Sequence, residues 1–353
     1  MNRPIPLRPD PTAMYANDRL SLARAVAASA LGVIKMGDSQ KILKASWPRD
    51  EQASLILRGA VSPTSTANYP TRDTVAFFRS LAPGSAALKL FETSNKFDMR
   101  GMTTVRMPRA AGLSSLPIIF VAEGAPGPVL MGTTAVTTLG PMRKILLLSA
   151  VTRELNEATP ETAVAIITRI LSDATSVVID RVAFDTNPAD TTRPAGLLNG
   201  VTPLTASTGG DSFTNMTEDI ANLVAAIGAA YIDPTDTVFI AGPREATLLQ
   251  LRSGIHFSND IHTTLGLPPK TVIAIAPAAA YFGYQDTPMV GTSMEVALHF
   301  EDTTPQEIVN SGGTPAAPTR SMFQTDVIAI RIRAPATWAI APGGAQIVES
   351  VNW

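Results

Sequence analysis

The chain has 353 residues, of which 45% are hydrophobic and only 16% charged, with 28 prolines and 24 glycines. That length suits a sizeable core and two domains, and the absence of cysteine excludes a disulfide framework and a thiolate metal site. Three histidines (His256, His262 and His299) leave little imidazole chemistry, and a net charge of −2 predicts no global attraction to nucleic acid.

That net charge hides an asymmetry: residues 1–60 hold nine Lys/Arg against five Asp/Glu, a local +4, which leaves −6 for the remainder. No apolar run reaches the ~18 residues of a membrane-spanning helix. The stretch "RLSLARAVAASALGVIK" (19–35) places Leu20, Ala23, Ala27, Leu31 and Ile34 at helical spacing, with Arg19, Arg24 and Lys35 elsewhere on the wheel. It reads as a docking helix rather than a targeting segment. A second short helix is expected around Asp50 to Leu57, then a linker "SPTSTANYP" (62–70) and a short helix in "TRDTVAFFRSL" from Thr71.

Two extended runs follow, "MTTVRMPRA" (102–110) and "LPIIFVAEG" (116–124), joined by a Gly/Ser turn that predicts a β-hairpin. Its return continues into "APGPVLMGTTAVTTLG", too rich in Pro, Gly and Thr to bury a face. A long hairpin with open edges wants a partner, and a surface poor in charge suggests cover by other copies of the chain. "MRKILLLSAVTREL" (142–155) is a strand and turn. Then comes the strongest helical pattern: Thr159 as N-cap, Pro160 at the first position, Glu161 toward the positive end of the dipole, and a stripe of Val164, Ile167, Leu171, Ala174, Val178 and Val182. Running to Asp185, it would be about 38 Å long.

The stretch "RVAFDTNPADTTRPAGLLNG" (181–200) gathers Asp185 and Asp190, with Asp180 just upstream, beside Arg193 and several turn residues. An acid/base or metal site needs convergent carboxylates with a matching motif elsewhere, and none follows. Asn and Asp favour turns for local hydrogen-bonding reasons, so consecutive turns are the expected reading. Beyond lies an alternating region: helix 217–231 with Ile220, Leu223, Val224 and Ile227 inward, strand 237–242, helix 243–252 begun by a proline, and strand 270–277. This predicts an α/β layer around a small sheet. Its polar loop (253–264) carries His256 and His262 without carboxylate or thiol spacing, so both are expected to be solvated.

"MEVALHFED" and "VIAIRIRA" alternate cleanly, with Val296, Leu298 and Phe300 on one face and His299 on the other, and Ile328, Ile330 and Ile332 opposite Arg331 and Arg333. They are expected to pair as a long antiparallel ladder closed by the loop 303–320, longer than ordinary connections. "ATWAIAPGGAQIVESVNW" closes the chain with two short strands. The motifs GxGxxG, GxxxxGK[ST], HExxH and GxSxG are all missing, so catalytic, cofactor and metal residues are expected to be none.

The order of "VAEGAP" (121–126), "VTREL" (151–155), "RVAFD" (181–185), "PAGLLNG" (194–200), "VIAIAPAAAYFGYQDTPMVGTSMEVALHFED" (272–302) and "FQTDVIAIRIRAPATWAIAPGGAQIV" (323–348) resembles the major capsid proteins of tailed phages with the Hong Kong 97 fold, over about residues 71–353. The resemblance implies an α+β fold with an N-terminal helical arm (1–70), a link to the peripheral domain (71–100), an extended β-hairpin loop (101–135), a peripheral domain with a long spine helix (136–200 and 290–335) and an axial α/β domain (201–289 and 336–353). The function it implies is a shell subunit assembling through pentamers and hexamers around double-stranded DNA, with portal, scaffolding and decoration proteins as further partners and no membrane. The place it implies is the virion capsid, assembled in the host bacterial cytoplasm. Intersubunit contact candidates are Arg106, Arg109, Phe120 and Glu123 on the loop, Glu161, Arg169 and Arg181 on the spine helix, and Glu301, Asp302, Arg331 and Arg333 on the strand pair. Arg19, Arg24, Lys35, Lys41 and Lys44 are candidates for DNA-facing or arm contacts, their positive charge suiting phosphate. Some relatives cross-link through a loop lysine, but residues 101–135 contain none and Lys96 and Lys144 only flank them, so a shell without isopeptide bonds is expected. A bacterial nanocompartment shell and a soluble α/β enzyme are the alternatives.

Overall fold

A computed structural model describes residues 21, 24–33, 37–50, 53, 54, 57, 82, 84–111, 133–152, 175–253, 257–285, 289–299 and 319–353. Helices α1 (Ser39–Ser46), α2 (Ala86–Thr93), α3 (Ser212–Ala229) and α4 (Pro243–Arg252) join helical segments at 24–33 and 175–183. The strands are β1 (Asn95–Asp98), β2 (Val105–Ala111), β3 (Thr133–Leu139), β4 (Arg143–Thr152), β5 (Val238–Ala241), β6 (Ile261–Thr263) and β7 (Thr271–Ile275). They continue with β8 (Ala280–Tyr284), β9 (Met289–Ser293), β10 (Ala297–His299), β11 (Thr319–Ser321), β12 (Val327–Ile340) and β13 (Ala345–Glu349). The chain divides into two compact units, one of Met1–Gly84, Lys144–Ser176 and Asp286–Pro335, the other of Ser85–Arg143, Val177–Gln285 and Ala336–Trp353.

In the first unit, the helical segment 24–33 is buried on nearly every side: Ala25, Val26, Ala27, Ala28, Ala30 and Leu31 are all at most 1% exposed. Alanine both favours helix and lets neighbouring backbones come close, so more than one face can pack. Leu31 meets Ile328 of β12, flanked by Ile42 and Met294, and the Ser29 and Thr292 hydroxyls hydrogen-bond at 2.9 Å. β9 runs antiparallel to β12, Ile330 opposite Thr292. In β12 the isoleucines 328, 330 and 332 are buried and Arg331 and Arg333 exposed, as the alternation predicts.

The second unit holds a four-stranded sheet in the order β13-β7-β5-β6, in which β5 and β6 are parallel and the other pairs antiparallel. Every residue of β5 and β7 is buried, because helices α3 and α4 cover this sheet. From α3 the core receives Met216, Leu223 and Ile227, with Ile220 and Val224 packed at its margin. Asp211 caps α3, accepting from the Thr214 N–H at 2.8 Å, and this bond leads the causes that hold its carboxyl below the usual range. β1, β8 and the second half of β12 form another sheet, over which Phe91 of α2 stacks on Phe282 and Trp338 with ring centroids 4.8 and 5.6 Å apart. β2 and β3 make a separate two-stranded ribbon whose register sets Val105 opposite Leu139, Pro108 opposite Val136 and Arg109 opposite Ala135.

Several expectations are corrected. β2 pairs with Thr133–Leu139, a partner the sequence reading did not assign, whose β-branched run "TTAVTTL" suits a pleated strand. β10 pairs with β11, whereas β12 takes β9 and β8, so the 294–302 and 327–334 runs do not form one ladder. β12 also runs on through Pro335 to Ile340, and the proline falls between Arg333, paired with Met289, and Ala336, paired with Tyr284. Val178 is 58% exposed, and the buried residues of its turn are Ile179, Asp180, Ala183 and Phe184 instead. Part of the loop 253–264 is strand β6, α3 starts at Ser212 rather than Thr217, and α1 and α2 are additional helices. The helices expected at 71–81 and 159–174, the strand 116–124 and the loop 303–318 lie outside the described residues.

The last residue is tied into the second unit's core: Trp353 Nε1 donates to the buried Asp219 carboxylate at 2.8 Å, and that carboxylate also accepts from the Ser207 N–H at 2.7 Å. Replacing Trp353 by Phe keeps most of the ring but leaves a buried carboxylate oxygen without its donor, so urea unfolding is expected to show a loss of about 1–3 kcal/mol.

Candidate functional site

The aspartates between 180 and 190 have structural partners. Asp180 is 1% exposed. It accepts four hydrogen bonds: from the Ser85 hydroxyl, the Ala86 and Ala87 N–H groups at 3.0 Å each, and the Thr264 hydroxyl at 2.5 Å. Ser85 is the N-cap of α2 and its own oxygen accepts from the Leu88 N–H. The carboxylate thus sits at the positive end of α2, with its lone pairs occupied, where a buried charge is tolerable.

After this helix the chain turns back on itself. Arg193 grips Asp185 through two bonds of 2.6 Å, and Asp185 also accepts from the N–H and side-chain amide of Asn187. Asp190 accepts from Thr192 and from the Arg193 N–H, and the Thr192 bonds lead the causes that lower its pKa in an exposed turn. Arg143 spans the turn by donating to the carbonyls of Asp190 and Thr191. A side chain at Gly196 would place its Cβ 2.0 Å from the Asp185 carbonyl oxygen, so only glycine allows this closure. Leu197 and Leu198 then plug the core, and Trp338 donates to the Ala195 carbonyl at 2.9 Å. Every carboxylate in the cluster is committed to a turn, a helix end or an arginine.

The expected contact residues fall in separate places. Arg106 lies on the exposed face of the ribbon, Arg181 on the exposed side of its helix, and Arg331 and Arg333 on the exposed face of β12. Arg109 is half-buried and donates to the carbonyls of Ala230 and, at 2.8 Å, Tyr231. Arg24 is paired with Asp50 at 2.7 Å, while Lys41 and Lys44 are exposed on α1. Phe120, Glu123, Glu161, Arg169, Glu301, Asp302, Arg19 and Lys35 lie outside the described residues, as does His256. Ser85, Thr264 and Arg143 are the residues sequence reasoning missed. Ser85 ahead of "AALKL" carries an N-cap signal, but its partner 95 residues away leaves no trace in the local pattern.

His262 is not solvated as a loop histidine would be. It stands half-buried in β6 with Nδ1 buried and without a hydrogen-bond partner among the described residues, and burial first, then the Lys89 charge, pulls its pKa below 6.5 against opposing effects of Asp260, the Ala86 backbone and Asp180. Both ring nitrogens of His299 are likewise buried without a hydrogen-bond partner among the described residues. Among the described residues no three His, Asp or Glu side chains converge as metal ligands, and no helix is long and apolar enough to cross a membrane.

No family model and no curated protein matches the sequence. Solved structures do match. The chain aligns with one from Mycobacterium phage Adephagia at a TM-score of 0.51 and 16% identity, over 85% of its own length and 97% of the other. Chains from Mycobacterium phage Bobi and Microbacterium phage Oxtober96 align at 0.51 and 15% identity, over 85% and 84% of this chain and 97% of each of theirs. The chain has the tailed-phage major capsid protein fold. The mixture of helices and sheets accords with that α+β fold, and the hydrogen bonds of the turn cluster make it a structural corner.

Asp180→Ala strands four buried donors at once and is expected to cost about 3–5 kcal/mol in denaturant unfolding, with Asp180→Asn intermediate because its amide offers one acceptor oxygen. The His262 proton gives a pH signature. Because its folded pKa is depressed, the unfolded chain takes up the proton first as pH falls below 6.5, and stability declines from there until the folded pKa is passed. Thermal melts across this range should show that decline, and His262→Gln should remove its share of it.

Proposed function

We propose that the chain is the major capsid protein of a tailed phage, a structural and non-enzymatic subunit that assembles through pentamers and hexamers into an icosahedral shell around double-stranded DNA. The observation that carries this reading is the fold likeness spanning 97% of the phage chains it aligns with. The committed carboxylates of the turn cluster support it too, since a hydrolytic site needs such groups free.

On this reading residues 1–70 form the arm, 71–100 the link, 101–135 the extended loop, 136–200 and 290–335 the peripheral domain, and 201–289 and 336–353 the axial domain. Arg106, Arg181, Arg331 and Arg333, exposed on the single chain, meet neighbouring subunits, together with Phe120, Glu123, Glu161, Arg169, Glu301 and Asp302. Lys41 and Lys44 face the packaged DNA as weak, salt-sensitive phosphate contacts. Assembly takes place in the bacterial cytoplasm, with portal, scaffolding and decoration proteins as partners. With no lysine at 101–135, the shell is held by interface area without isopeptide bonds.

Expression of the chain alone, followed by size-exclusion chromatography and negative-stain electron microscopy, is expected to give closed shells or rings of five and six copies. Boiled in SDS, those particles should run as single chains. A compact monomer that persists at high concentration, with and without candidate scaffold, would sink the reading, and a covalent ladder would sink its non-cross-linked form.

A further inference from the structure

We propose that Arg109 is a latch that fastens the β2–β3 ribbon to the C-terminal end of α3, with Gly101 and Gly140 as the pivot at the ribbon's root. The helix α3 ends at Ala229, and its last turns leave carbonyls without intrahelical donors. Ala230 and Tyr231 close the helix, Tyr231 with a φ of 56°, and their carbonyls both accept from Nη2 of Arg109. A cation at this position meets the negative end of the helix dipole as well as two open acceptors. The partner is 121 residues away in sequence, on a different element.

The root of the ribbon is a second anchor. Leu139 is fully buried and Thr137 nearly so, and both stand on the same face of the ribbon as Arg109. At the root both strands meet glycine in left-handed geometry: Gly101 at φ 74° ahead of β2 and Gly140 at φ 110° after β3. A side chain at Gly140 would come within 2.5 Å of the Thr103 carbonyl oxygen, while around Gly101 there is open space. Arg109 sits four residues out from Val105, the partner of Leu139, about 13 Å along the strand. Two anchors that far apart fix the direction of the ribbon, and with only the inner one it can turn about the glycines. An isolated two-stranded ribbon is also marginally stable, so its outer pairing depends on the outer anchor.

This inference goes beyond the shell reading and holds for the single chain whether or not it assembles. The test is therefore done on unassembled full-length chain, by amide hydrogen exchange on the wild type, Arg109→Gln and Arg109→Lys. In Arg109→Gln, amides at Arg109–Ala111 and Thr133–Ala135 are expected to exchange at least about tenfold faster, while those of β5 and β7 keep their rates. Arg109→Lys, a point charge without the guanidinium fork, is expected to recover only part of the protection. Unchanged ribbon exchange in Arg109→Gln would overturn the latch. So would an equal acceleration across ribbon and central sheet, which would make Arg109 a general stabilising residue, or full protection in Arg109→Lys, which would make charge alone sufficient.

Discussion

The second unit depends on one buried carboxylate. Taking the Asp180 charge out of water costs several kcal/mol, which nothing but a full set of donors can offset. Those donors come from segments 95 and 84 residues distant, Ser85 and the first amides of α2 on one side and Thr264 on the other. Once they converge, α2 is held with Phe91 over Phe282 and Trp338, and Thr264 fixes the end of the chain leaving β6. The requirement to satisfy a single charge thus places a helix and a strand edge together. Hydrophobic burial alone, being non-directional, would not specify that arrangement.

The same logic explains why the run of aspartates resembles an active site in sequence but is none in space. Catalytic carboxylates need unmet valence or perturbed acidity in a cleft. Asp185 spends both oxygens on Arg193, and Asp190 accepts from Thr192 and the Arg193 N–H. Gly196, packed against the Asp185 carbonyl, lets the chain double back so that Leu197 and Leu198 enter the core directly after a charged turn.

What the sequence made legible follows the range of the forces involved. The alternation of Ile328, Ile330 and Ile332 with Arg331 and Arg333 is a local record of one wet and one dry face, and helix α4 announces itself through Pro243 at its first turn. Pairing is not local. Nothing in residues 102–110 says whether the partner lies at 116 or at 133, and nothing in β10 distinguishes β11 from β12. Short elements also escape, since α1 and α2 span only eight residues each and β6 only three, too few for a period to emerge. The stripe assigned to Val178 failed because the helix turns a polar residue, Asp180, inward at that level, against the apolar periodicity. The resemblance in motif order reached the fold where the single motifs did not, because it carries long-range arrangement that composition lacks.

Pro108 stands in the middle of β2, opposite Val136, in a ribbon whose two strands each leave one side unpaired among the described residues. Proline brings no N–H to the strand, and within sheets it is tolerated where that missing donor faces an open edge, where it interrupts any further ladder. At high concentration this hinders strand-on-strand polymerisation along that side, the growth mode of fibrils. Any contact another chain makes on that side is then left to side chains, which can be formed, sampled and undone.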